Sequence, residues 1–108
     1  QVISLSTWYN IIVTQSGTTK KVYVNGVEIS SFTASALDLN NINYLGKYSY
    51  ADTYYAPVNI DELAIFDYAL TPKQIKEDIY NASTTGKTAD LNNNSNLTAP
   101  VAWYRMGD

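Results

Sequence analysis

The chain has 108 residues, a formal net charge of −3, and charged side chains at 16% of its positions. This length fits one domain, and the acidic balance argues against a basic surface that binds nucleic acid. Histidine and cysteine are both absent, which excludes disulfides, thiolate zinc sites and the catalytic triads that need either residue. No apolar run is long enough to span a membrane. The function classes that remain are catalysis by carboxylates, binding of a hard cation such as calcium, and non-catalytic binding.

The beginning of the chain predicts antiparallel strands. Residues 8–14 are aromatic and β-branched and end before a Ser-Gly pair, which predicts a strand followed by a turn. Asn25-Gly26 predicts a two-residue type I′ turn that joins two strands of a hairpin. The resulting register predicts that one face is core and the other solvated. One face carries Val22, Val24, Val27 and Ile29, with Val24 opposite Val27 and Val22 opposite Ile29, and the other carries Lys21, Tyr23, Glu28 and Ser30.

The middle of the chain alternates between polar connections and short strands. Residues 32–41 read as a polar connection, and residues 42–46 read as a short strand. Residues 47–57 carry several tyrosines without a clear period, which predicts a loop. Residues 58–66 predict another strand, in which neighbouring side chains point to opposite faces.

A short helix is predicted after this strand. Thr71 is the predicted N-cap, Pro72 occupies the first helical position, and Gln74 completes a capping box. Leu70, before the cap, is placed to pack against Ile75 as a hydrophobic staple. The helix is expected to end near residue 82, with an apolar stripe of Ile75, Ile79 and Tyr80.

These segments, in this order, resemble the laminin-G-like, concanavalin A-like jelly-roll family. The resemblance lies in a tryptophan-led strand (8–14), a Lys-x-Tyr-Val-Asn-Gly hairpin (21–27), a Leu-Gly strand (45–46) and a closing strand followed by a helix (60–75). It implies an all-β fold, an antiparallel β-sandwich of the jelly-roll, concanavalin A-like type, present as a partial unit with one short C-terminal helix.

The resemblance also divides the chain. It implies that residues 1–82 are the C-terminal part of one unit, that residues 83–96 are a polar linker, and that residues 97–108 are either the opening strand of a next unit or a strand that completes the sheet. Termini of such units lie side by side, so residues 101–106 are expected beside residues 60–66, from the same molecule or a neighbour. A repeat protein of the phage or marine-metagenome surface type is implied, located extracellularly, at a cell surface or on a virion.

Two adjacent acids are candidates for catalysis. Asp61 and Glu62 point to opposite faces of a predicted strand, so they do not act as a pair on one substrate. Glycosidases on this fold use a Glu-x-Asp-x-x-Glu strand, which residues 60–65 do not match. We therefore predict no catalytic residue and no enzymatic activity, and we interpret Asp61 as a half-buried acid bonded to backbone amides.

The best candidate for binding is the tyrosine-rich loop. Aromatic rings there can stack on sugars while neighbouring polar groups bond hydroxyls, which favours carbohydrate or a surface glycan as the partner. The alternative is that these tyrosines pack over a sheet edge or against the missing half of the unit. The predicted carbohydrate-binding residues are Tyr48, Tyr50, Asp52, Tyr54 and Tyr55.

No cofactor is predicted within this chain. Some relatives bind calcium, which requires several oxygen ligands, but residues 47–52 offer one acid and a lysine. A calcium site would need ligands from outside this fragment. Two functions therefore compete, namely a non-catalytic, carbohydrate-binding or adhesive module, and a purely structural module that associates with neighbouring repeat units. Neither nucleic acid nor a membrane is an expected partner.

Overall fold

The computed structural model describes residues 2–35, 45, 46, 55–83 and 89–106. These residues are mostly β, with two antiparallel sheets and one short helix. A three-stranded sheet has the order β1-β2-β3, and a two-stranded sheet pairs β4 with β5. In chain order the elements are β1 (Ile11–Ser16), β2 (Thr19–Val24), β3 (Val27–Thr33), β4 (Leu63–Ile65), the helix (Gln74–Tyr80) and β5 (Ala102–Tyr104). In this part of the chain, no helix is long and apolar enough to cross a membrane.

The predicted Asn-Gly turn joins β2 to β3. Asn25 has a φ of 50° and Gly26 a φ of 78°, the positive pair that a type I′ turn requires. The turn is tied to the residue before β1, because the Asn25 N–H donates to the Asn10 carbonyl and the Asn10 N–H donates to Asn25 Oδ1, each at 2.9 Å. The hairpin is therefore confirmed, and its turn is anchored to a third strand.

The register of β2 and β3 differs from the prediction beyond the first pairs. Val24 lies opposite Val27 and Tyr23 opposite Glu28, but Val22 lies opposite Ser30. The predicted pairing of Val22 with Ile29 is wrong, because a β-bulge adds one residue to β3 at that point. The strand also continues to Thr33, so the first two residues of the predicted connection 32–41 belong to β3.

The face that carries Tyr23 is the inner one. Tyr23 is 2% exposed and belongs to the core cluster, against which Ile12 of β1 also packs. The opposite face is largely apolar and only partly covered, since Val24 is 6% exposed there but Val13 is 59% and Val27 60% exposed. The core lies between the inner face of this sheet, the helix and the smaller sheet. Its buried members are Tyr23, Leu70, Ile75, Ile79, Ala89 and Leu91.

The helix begins as its sequence predicts. The Thr71 N–H donates to Gln74 Oε1 at 2.9 Å, and the Gln74 N–H donates to Thr71 Oγ1 at 3.2 Å, which is the reciprocal pattern of a capping box. Ile75 is fully buried and Ile79 nearly so, whereas Tyr80 is 38% exposed. The turns widen to the π form, since the N–H of Asn81 donates to the carbonyl of Lys76.

The chain's last strand closes the smaller sheet. Ala64 of β4 lies opposite Trp103 of β5, and the Val101 N–H donates to the Ile65 carbonyl at 2.8 Å. The expected position of residues 101–106 is thereby confirmed, within a single molecule. The predicted strand 58–66 is too long, because only Leu63–Ile65 has strand geometry.

Two further predictions concern regions that the structure describes incompletely. The predicted strand 42–46 lies outside the described residues except for Leu45 and Gly46, which form a bend. The division into a unit, a linker and a next unit stays a prediction. Within the predicted linker, Ala89 and Leu91 are buried in the core, so this part of the segment packs on the domain.

Candidate functional site

The structure describes one residue of the predicted tyrosine site and the base of its loop. Tyr48, Tyr50, Asp52 and Tyr54 lie outside the described residues. Tyr55 is 65% exposed. The N–H of Ala56 donates to the carbonyl of Gly46 at 2.7 Å, so the two ends of the loop adjoin. The structure therefore presents Tyr55 to solvent beside the point where the chain on either side of the loop meets.

The exposure of the adjacent acids Asp61 and Glu62 differs from what the sequence predicts. Asp61 is exposed, whereas the Glu62 side chain is only 15% exposed. Glu62 has a φ of 57°, a left-handed conformation that interrupts extended backbone. The expectation of a half-buried Asp61 is wrong, because the left-handed backbone conformation of Glu62 interrupts the regular alternation before β4 begins.

Glu62 is the centre of a small polar cluster with two residues of the last strand region. Its Oε2 accepts a hydrogen bond of 2.6 Å from the Trp103 indole N–H, and its Oε1 lies 4.0 Å from Arg105 Nε. The Arg105 guanidinium carbon lies 4.7 Å from the centre of the Trp103 ring, within range of a cation–π interaction. Sequence patterns do not reveal this cluster, since nothing local relates residues so far apart in the chain.

A second cluster lies on β2 and β3. Glu28 Oε2 accepts hydrogen bonds from Lys21 Nζ at 3.1 Å and from the Tyr23 hydroxyl at 3.3 Å. The bond to Glu28 raises the pKa of Lys21, and burial raises the pKa of the Tyr23 hydroxyl. These groups share the face that the hairpin register predicts, and their contacts satisfy one another, so the cluster has a structural role.

Side chains before and within the helix hold residues 89–106, called here the C-terminal segment. The Tyr68 hydroxyl donates to the Thr98 carbonyl at 2.9 Å, and Gln74 Nε2 donates to the Asn96 carbonyl at 2.8 Å. Asp78 Oδ1 accepts from the side-chain amides of Asn94 and Asn96 at 3.1 and 3.0 Å. Asparagines of the predicted polar linker therefore fix the segment to the helix.

The C-terminal segment also contains a local turn. Asp90 accepts hydrogen bonds from the backbone N–H groups of Asn92 and Asn93 and from the Asn93 side chain. The Asn93 side-chain amide lowers the pKa of the Asp90 carboxyl. Within the described ranges, no three acidic side chains come together as a metal site requires.

Comparison with protein families assigns the fold. A family model described as the concanavalin A-like lectin/glucanases superfamily matches residues 1–76. The chain is a member of that superfamily. The match ends inside the helix, so the C-terminal segment lies outside it while packing against the domain that it covers. No curated protein is a significant match to the chain.

A solved structure resembles this concanavalin A-like domain. It is an S-layer domain-containing protein from Clostridium thermocellum, with 28% sequence identity and a TM-score of 0.61. The likeness covers 71% of this chain and 41% of that one. The domain therefore spans less than half the length of that structure.

Proposed function

We propose that this domain is a non-catalytic binding module whose ligand is a carbohydrate. The observation that carries the proposal is the exposure of Tyr55 at the base of a tyrosine-rich loop, in a chain of the lectin/glucanases superfamily. A tyrosine ring offers an apolar face to a sugar ring and a hydroxyl to its polar groups. The loop supplies further tyrosines and one carboxylate next to it, at Tyr48, Tyr50, Asp52 and Tyr54.

The surroundings of Glu62 support a role without catalysis. Glycoside hydrolysis requires two carboxyl groups that flank one bond, one of them able to donate a proton. Glu62 instead holds the Trp103 indole through one oxygen and faces Arg105 with the other. Through these two contacts the Glu62 carboxylate joins the residue before β4 to β5 and to the residue after it.

We further propose that this module acts at the surface of a cell or a virion, in an extracellular protein. The support is the likeness to a protein that carries an S-layer domain. Neighbouring repeat units of the same protein are the expected partners in such a setting.

The carbohydrate proposal is tested by glycan-array binding and titration of the best ligand. We expect Tyr50→Ala with Tyr54→Ala, and separately Tyr55→Ala, to weaken binding at least tenfold, or about 1.4 kcal/mol. Tyr104→Ala is the matched control, because Tyr104 is 56% exposed but lies on β5. Unchanged affinity in the loop variants would refute the tyrosine site, and turnover of a polysaccharide would refute the non-catalytic assignment.

A second candidate function is a structural module that associates with its neighbours. The open apolar face of β1–β3 favours it, because exposed apolar patches mark interaction sites. The exposed members of that face are Ile11, Val13, Val27 and Phe32. A reproducible glycan ligand of micromolar affinity would count against this function as the principal one.

A further inference from the structure

We propose that β4 and the side chains around it form an acceptor surface for a β-strand, and that the C-terminal segment of a second copy of this chain is its partner. The acceptor surface consists of β4, Glu62, Tyr68, Gln74 and Asp78. None of these residues is among the predicted carbohydrate-binding residues, so the inference stands whether or not the domain binds carbohydrate.

Besides its internal turn, the C-terminal segment makes many contacts with the rest of the domain. Its backbone pairs with β4, its indole bonds to Glu62, and its asparagine side chains bond to Asp78. Tyr68 and Gln74 bond to its carbonyl groups. A segment of this kind binds through backbone pairing that fixes its position and side chains that give specificity, as in the addition of a strand to a sheet edge.

The acceptor surface is costly to leave open. Ala89 and Leu91 are buried beside Ile75 and Ile79, and Leu97 and Trp103 pack against the same cluster. Departure of the segment would expose this apolar surface, leave the edge of β4 unpaired and remove the indole from Glu62. An open acceptor surface therefore favours recapture of a segment with the same pattern.

None of these contacts depends on the segment belonging to the same molecule. The segment follows the helix in the chain, and an identical segment from a second copy presents identical groups. Exchange of identical elements is a low-cost route to association, since each interaction broken within one molecule forms again between two. High local concentration, as in an array of repeats, shifts the balance from the closed molecule to the exchanged one.

The first test measures binding of a labelled synthetic peptide with the sequence of residues 89–106. The acceptor is the full chain carrying Trp103→Ala, which weakens its own segment and leaves the acceptor surface intact. We expect saturable one-to-one binding by fluorescence anisotropy, at least tenfold tighter than that of a peptide carrying Trp103→Ala. The unaltered chain is expected to bind the peptide more weakly, because its own segment competes.

A second acceptor variant that retains an aromatic ring is used in case the Trp103→Ala chain does not fold. Trp103→Phe keeps the ring but removes the N–H that bonds to Glu62, and circular dichroism establishes whether each variant is folded. Binding of neither peptide to a folded variant, or equal binding of both, overturns the proposal.

The second test asks whether copies exchange segments. We expect sedimentation velocity to show dimers of the unaltered chain that increase with concentration and are dissociated by excess unlabelled peptide. A chain that stays monomeric, or a dimer that the peptide leaves intact, overturns the proposal. An intact dimer would instead indicate association through the open apolar face. Glycan-array binding is measured separately, so failure of the carbohydrate proposal is distinguishable from failure of the strand-exchange proposal.

Discussion

Positive φ angles occur at Asn25 and Gly26, where the chain turns from β2 to β3, and at Glu62, just before β4. At Asn25 and Gly26 the residue types suit this conformation, because glycine lacks a Cβ and asparagine tolerates it. Glu62 does not suit it, and its conformation is held by the indole and guanidinium groups of Trp103 and Arg105. A local preference determines the conformation of the Asn-Gly turn, and distant contacts hold that of Glu62.

Gly26→Ala is expected to destabilise the domain more than Gly17→Ala. Both glycines have positive φ, for which a Cβ costs about 1–2 kcal/mol. A Cβ at Gly26 would also lie 3.1 Å from Tyr80 Cδ1, whereas nothing lies within 4 Å at Gly17. The added crowding predicts about 1 kcal/mol more for Gly26→Ala, measured by urea unfolding. Equal losses would show that the turn does not press on the helix.

Glu62→Ala is expected to lower the free energy of unfolding by about 1–3 kcal/mol, because the indole N–H of Trp103 loses its acceptor. Glu62→Gln should retain part of the stability, since its amide oxygen can still accept. The neighbouring Asp61→Ala is the control and should change stability by less than about 0.5 kcal/mol, because Asp61 is exposed. Chemical denaturation followed by circular dichroism decides the comparison, and similar losses at both positions would contradict the assignment.

In the helix, local sequence determines one feature and tertiary packing another. Thr71 and Gln74 form the capping box that their spacing predicts. The widened turns towards Asn81 have no counterpart in that spacing. In β3 the bulge at Ile29 similarly changes the register after a correctly predicted turn. The start of the helix and the Asn-Gly turn therefore form as local sequence predicts. The later turns of the helix and the register further along β3 are instead set by packing.

Removal of the cap tests the local contribution. Thr71→Ala should cost about 1 kcal/mol in the free energy of unfolding, because the Gln74 N–H loses its acceptor. Thr71→Ser keeps the hydroxyl and should retain most of the stability. Both are compared by thermal unfolding. A Thr71→Ser variant as unstable as Thr71→Ala would mean that the threonine methyl, rather than the capping bond, stabilises the helix.

The whole molecule is asymmetric about its three-stranded sheet. One face holds Tyr23 in the core, and the opposite face buries Val24 but leaves Ile11, Val13 and Val27 exposed in the described part of the chain. The C-terminal segment covers the helix and smaller sheet on the inner side. The two proposed modes of association therefore use different surfaces, namely the exposed apolar side chains of the three-stranded sheet and the strand acceptor on β4.

Threonine substitutions distinguish the two faces of β1. Ile11→Thr and Val13→Thr should each change the free energy of unfolding by less than about 0.5 kcal/mol, since both side chains are about three-fifths exposed. Ile12→Thr places a hydroxyl against the core cluster and should cost about 1–3 kcal/mol. Urea unfolding provides the comparison. A loss at Val13 equal to that at Ile12 would show that the open face is covered in solution.

The amino-acid sequence by itself determined the Asn-Gly hairpin, the helix cap, the exclusion of cysteine and histidine chemistry, and the position of the last strand beside residues 60–66. These follow from turn preferences, hydrogen-bonding side chains and a pattern shared with the superfamily. The tertiary structure alone decided which face of the hairpin is buried, that Glu62 rather than Asp61 is shielded, and that the asparagine-rich segment packs on the helix. Each of those depends on residues distant in the chain, because burial and hydrogen-bond partners are set by what lies opposite a side chain rather than by its neighbours in sequence.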